Sequence, residues 1–87
     1  MNYTEAVRLA QAKEERGYGF LFQNTYKSKY YLALQYMKDE EAAQDVLQEA
    51  YLRAFTNLDR LRNPEMFSAW LGKIVANTAK NMLAKKN

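Results

Sequence analysis

The sequence predicts an all-α protein, a compact bundle of about four helices, and three observations predict it. Strong helix formers dominate, and β-branched residues are sparse. Among 87 residues proline occurs once and glycine three times, so the chain offers few breaks. Apolar residues return at spacings of three and four, the period of one helical face. With 48% hydrophobic residues, a chain of this length can bury one small core.

The first helix is expected over Tyr3 to Glu15. Asn2, with Glu5 three residues on, has the form of a capping box. Val7, Leu9 and Ala10 supply its apolar contacts, and Gly17-Tyr18-Gly19 is expected to end it, because glycine accepts the left-handed conformation. The second helix is expected over Phe20 to Met37, with Phe22, Tyr26, Tyr30, Leu34 and Met37 on one face. Asp39 is the expected N-cap of the third helix, and Glu40 and Glu41 suit its positive end. Ala43, Val46, Leu47, Ala50, Tyr51, Ala54, Phe55 and Leu58 make its broad apolar face. A short link, Asp59-Arg60-Leu61-Arg62-Asn63, follows. Asn63-Pro64-Glu65 then reads as a cap, a proline at the first helical position and an acid in the first turn. The fourth helix runs to about Lys85, burying Phe67, Leu71, Ile74, Val75, Thr78 and Met82.

Composition excludes much chemistry. The chain has no cysteine and no histidine. Thiolate nucleophiles, disulfides and the commonest zinc ligand are therefore gone. No catalytic residue, metal or cofactor is expected. No apolar run is long enough to span a membrane, and no signal segment opens the chain, so a cytoplasmic protein is expected. The net charge of +3 is unevenly spread. Residues 1–50 hold six Lys/Arg against eight Asp/Glu, and residues 51–87 hold seven against two. A basic C-terminal part suggests a polyanionic partner.

Two polar surfaces stand out. Asp45, Gln48 and Glu49 share one face of the third helix, with Leu52 and Arg53 beside them. Their acceptors suit basic side chains of a partner, and Leu52 is a candidate anchor. The same residues also fit a solvated helix face. On the fourth helix Lys73, Asn77 and Lys80 cluster away from the buried stripe, with Asn81 at the edge. Lysines neutralise phosphates, and an asparagine amide offers the donor and acceptor that read a base edge. These too fit ordinary polar surface. Phe67 falls on the buried stripe and is read as core, whereas Trp70 lies between stripe and polar face and is left unassigned.

Two segments carry a family resemblance. They are Asp45-Val46-Leu47-Gln48-Glu49-Ala50-Tyr51-Leu52-Arg53-Ala54-Phe55 and Phe67-Ser68-Ala69-Trp70-Leu71-Gly72-Lys73-Ile74-Val75-Ala76-Asn77-Thr78-Ala79-Lys80-Asn81. In this order and separation they resemble the second domain of extracytoplasmic-function sigma factors, over roughly Tyr3 to Lys86. The resemblance implies a bacterial transcription-initiation module. Its Asp-x-x-Gln-Glu helix would dock on the clamp helices of the RNA polymerase β′ subunit through Asp45, Gln48, Glu49, Leu52 and Arg53. Its following loop and helix would capture the melted minus-ten promoter strand. Arg60, Arg62 and Asn63 would line the loop that takes an unstacked base. Asn77 and Asn81 would read bases, with Lys73 and Lys80 on the phosphates. An anti-sigma factor is admitted as a further partner.

The sequence departs from the family in two respects. The first two helices are joined by Lys13-Glu14-Glu15-Arg16-Gly17-Tyr18-Gly19, longer than the family's glycine-acid turn. The domain that reads the minus-thirty-five element is missing, so residues 1–87 are expected to be one domain cut from a longer chain. The competing reading is a small helical protein–protein adaptor that does not bind DNA.

Overall fold

The structure, a computed structural model, describes residues 1–85. Asn2 starts helix α1 (Tyr3–Gln11) as expected, its side chain accepting from the Glu5 amide at 2.9 Å. The end of α1 differs from expectation. Lys13 takes the left-handed conformation at φ 67°. The Lys13 amide donates to the Ala10 carbonyl and the Glu14 amide to the Leu9 carbonyl, each at 2.9 Å. That pair of bonds is a Schellman closure, here built without glycine. Helix α2 therefore begins at Glu15, five residues before the expected Phe20, and runs to Met37.

Gly17 and Gly19 thus lie inside α2 and not in a turn. Gly17 is buried against α1, where a β-carbon would meet the Ala10 nitrogen at 2.5 Å and the Ala6 oxygen at 2.6 Å. Its role is close helix approach, which a sequence rule for turns misses.

The buried face of α2 also differs from expectation. It is Gly17, Leu21, Thr25, Ala33 and Met37. Of the predicted stripe only Met37 is buried; Tyr26, Tyr30 and Leu34 are half-buried, and Phe22 is exposed. The two stripes are neighbours on one helix, and tyrosines prefer the one whose hydroxyls reach water.

Lys38, also left-handed, ends α2, and Asp39 caps α3 (Glu40–Thr56) by accepting from the Ala42 amide at 2.8 Å. Ala43, Val46, Leu47, Ala50, Tyr51 and Ala54 are buried as expected. A short 3-10 turn, Leu58–Arg60, leads away, and a second, Pro64–Met66, leads into α4 (Phe67–Lys85). Asn63 caps the second turn, its oxygen accepting from the Glu65 amide at 3.1 Å.

The long α2 packs against each of the other three helices. At 23 residues it is about 35 Å long and sets the 40 Å long axis. Leu21, Val7, Val46, Phe67, Leu71 and Val75 fill the core. Tyr3 joins α1 to Phe20 of α2 and Phe67 of α4, at centroid distances of 5.9 and 6.3 Å. The buried Thr25 and Thr78 hydroxyls donate to the carbonyls of Leu21 and Ile74. Gln11 ties α1 to the α3–α4 connection, donating to the Leu58 carbonyl at 3.2 Å.

Candidate functional site

Helix α3 carries exposed polar groups on two sides of its outer surface. Asp45 and Gln48 rim a groove between α2 and α3, with Gln44 beside them. Its floor is aromatic. Phe22 lies 4.8 Å from Tyr51 and 5.1 Å from Tyr26, ring centroid to centroid. Phe55 closes one end, 5.7 Å from Tyr51. Acceptors above an apolar floor suit a basic, amphipathic partner. Sequence reasoning found the rim and missed the floor, because Phe22 and Tyr26 belong to another helix. Gln44 had a signal: it lies one turn before Gln48.

Leu52 is 68% exposed, the most exposed of the large apolar side chains. A leucine so placed is either tolerated or used, and its neighbours favour use. Glu49 is half-buried and holds Arg53 across one turn at 3.3 Å.

Arg53 belongs to a second groove. It lines that groove with Asn57, Arg60, Trp70, Ile74 and Asn77. Three elements contribute: the last turn of α3, the 3-10 turn after it, and the outer face of α4. The local sequence explains the convergence. Leu58 and Leu61 are buried and pin the connection to the core, so Arg60 and Arg62 point outward. The Asn57 side chain donates to the Arg53 carbonyl at 2.9 Å, closing the α3 end. Trp70 is half-buried, backed by the fully buried Phe67 at 6.1 Å. Cationic, amide and flat aromatic groups in one groove can hold an unpaired base and its phosphate.

Asn57 and Trp70 were not among the expected site residues. Trp70 had a signal in its position between the buried stripe and the Lys/Asn face. Lys73, Asn77, Lys80 and Asn81 are all exposed along α4. Lys80 turns toward α2, its Nζ 6.0 Å from the Tyr36 ring centre. Asn63 is exposed, but its oxygen serves the helix cap, which leaves its amide group for a ligand. Asn81 and Arg62 do not line the second groove.

No group of three or more acidic side chains could hold a metal ion among the described residues. Among the same residues no helix is long and apolar enough to cross a membrane. Burial raises the pKa of Tyr51 and lowers that of Lys29, and neither residue lines the second groove.

The family model of sigma-70 region 2 matches residues 21–87. The chain belongs to that family. Curated sigma-factor relatives agree with the match, among them one named as an ECF sigma factor. The chain is 32% identical over 82 residues to the RNA polymerase sigma-H factor of Pseudomonas aeruginosa, covering 94% of this chain and 42% of that one. It is 37% identical over 57 residues to the RNA polymerase sigma factor SigV of Bacillus subtilis, covering 66% and 34%. It is 49% identical over 39 residues to the ECF RNA polymerase sigma-E factor of Escherichia coli, covering 45% and 20%. The chain thus spans less than half the length of these relatives. No solved structure matches it. The all-helical sigma region 2 fold expected from the sequence is the fold observed. Helix α1 and the first turns of α2 precede the matched residues, and the break that differed from expectation lies there.

Proposed function

We propose that this sigma region 2 domain is the promoter-specificity module of a longer sigma factor. It docks on the β′ clamp helices of RNA polymerase core and holds the melted minus-ten strand. The convergence of Arg53, Asn57, Arg60, Trp70 and Asn77 in one groove carries the reading. Asp45, Gln48 and Glu49, with Leu52, form the docking side. Asn77 and Asn81 read bases, Lys73 and Lys80 contact phosphates, and Arg60, Arg62 and the Asn63 amide steer the strand into the groove.

The mechanism is non-covalent, and the domain is not an enzyme. Docking fixes the groove beside the duplex. Trapping an unstacked base then offsets part of the unpairing energy, so the open state gains population. Polymerase performs the chemistry, which sets the working location in the cytoplasm. An anti-sigma factor, where the native protein has one, acts by covering one of these two sides.

The test is a pull-down with the isolated clamp helices, beside an Asp45→Ala/Gln48→Ala/Glu49→Ala variant. Binding that the triple change abolishes supports the docking reading. No binding by the folded wild-type domain removes it and favours a helical adaptor with another partner.

A further inference from the structure

Gly72 lies in the second turn of α4, inside the helix, where glycine weakens it relative to alanine. Its backbone does not use glycine's freedom, since no glycine among the described residues has positive φ. What the missing side chain leaves is a notch. A β-carbon there would lie 3.4 Å from the Lys29 Nζ and 4.0 Å from Leu32 Cδ2. The Lys29 side chain thus reaches across from α2 and rests its ammonium against α4.

That ammonium is half-buried, and burial alone draws its pKa below the usual lysine value. A charge held partly off water ordinarily has a carboxylate beside it. The ion pairs among the described residues are Arg16 with Glu14 and Arg53 with Glu49. Neither includes Lys29. Further along, Lys80 extends from α4 back over Tyr36 of α2. Tyr36 follows Lys29 by seven residues, so the two share a face of α2 about 10 Å apart. The α2–α4 seam therefore has one cation reaching across it from each helix. Lys73, next to Gly72, stands exposed on the ridge alongside.

We propose that this seam is a second phosphate track, in which Lys29 in the Gly72 notch and Lys80 further along bind the sugar–phosphate backbone of a single strand. The inference rests on the strand-binding reading above and extends it onto α2. Phosphate supplies the counter-charge that Lys29 lacks, through charge-assisted hydrogen bonds. Contacts of this kind add affinity and no base preference.

The probe is a labelled oligothymidine titrated against the domain across a salt series, with the clamp-helix fragment present. Lys29→Met keeps the apolar stem and removes the charge. It is expected to weaken binding about three- to tenfold and to reduce the salt slope by about 0.7, the value for one phosphate on a single strand. Lys29→Arg is expected to restore the slope. Gly72→Ala, whose β-carbon would meet the Lys29 Nζ at ordinary contact distance, is expected to keep the slope while raising the melting temperature. Lys73→Met serves as the reference for the α4 ridge. If Lys73→Met weakens binding and Lys29→Met matches wild type in affinity and slope, the track is overturned and the ridge reading stands. If wild type does not bind the probe, the strand reading falls and the track falls with it.

Discussion

A methyl group on Gly17 would press on the Ala10 nitrogen at 2.5 Å and the Ala6 oxygen at 2.6 Å, both backbone atoms of α1. Backbone cannot move aside as a flexible side chain does. Gly17→Ala is therefore expected to destabilise the fold by about 1–3 kcal/mol, read as a lower urea midpoint at unchanged slope. Gly19, two residues on, has nothing within 4 Å of its absent β-carbon. Gly19→Ala is expected to stabilise by up to about 1 kcal/mol, through helix propensity alone. Composition makes these two glycines look alike, which is why a turn was expected around both. Spacing separates them. Gly17, Leu21, Thr25, Lys29, Ala33 and Met37 recur every four residues. A four-residue step drifts about 40° per repeat, so this seam winds around α2 from α1 toward α4. The tyrosine-rich neighbouring stripe masked it. Tyr51 gives a pH test at the same scale. Its hydroxyl lies 2.5 Å from Thr25 Oγ1, which already donates to the Leu21 carbonyl, so Tyr51 is the donor. Burial pushes its pKa above the usual value near 10 and outweighs the Thr25 hydroxyl, which can turn to donate to the phenolate once Tyr51 ionises. A phenol whose folded pKa is raised contributes stability that is fully present below pH of about 10 and is lost as pH rises through the folded value. Unfolding free energy should decline above about pH 10, and less steeply in Tyr51→Phe.

Helix α3 shows what periodicity reveals and what it leaves out. Its buried face was legible because Ala43 to Ala54 repeat at helical spacing on a capped, uninterrupted segment. Its outward residues were legible as one patch from Asp45 to Arg53. The fold divides them: Asp45 and Gln48 border the aromatic groove, while Arg53 lines the groove shared with α4. The division depends on Phe22, Arg60 and Trp70, which only tertiary packing brings beside α3, so no local window contains it. A double dissociation follows. Asp45→Ala with Gln48→Ala should weaken clamp-helix binding at least tenfold and leave strand binding unchanged. Arg60→Ala with Asn77→Ala should do the reverse. Arg53→Ala is expected to follow the second pair, as measured by fluorescence anisotropy with each ligand. Loss of both activities in either variant, at unchanged melting temperature, would mean that α3 presents a single surface.

At the scale of the whole molecule, residues 1–50 carry an excess of acid and residues 51–87 an excess of base. Asp45 borders the groove proposed for docking, whereas Arg53 and Arg60 line the second groove and Lys73 and Lys80 are exposed along α4. The two sides should respond differently to salt. On the proposed reading, docking combines a few exposed acceptors with an aromatic floor, and apolar burial is nearly indifferent to ionic strength. The proposed strand binding would depend on cations meeting phosphates, and each neutralised phosphate releases counterions. With about four phosphates engaged, the slope of log affinity against log salt should be near −3. That corresponds to a loss of several tens of fold between about 50 and 200 mM salt. Docking over the same range should lose less than about fivefold, since surface ion pairs contribute little each. Titrating both ligands through one salt series checks the contrast. Equal slopes would place ion pairing, and not the Phe22–Tyr51 floor, at the centre of docking. A flat strand slope would leave Arg60, Lys73 and Lys80 as solvated surface, and the strand-holding role would fall with them.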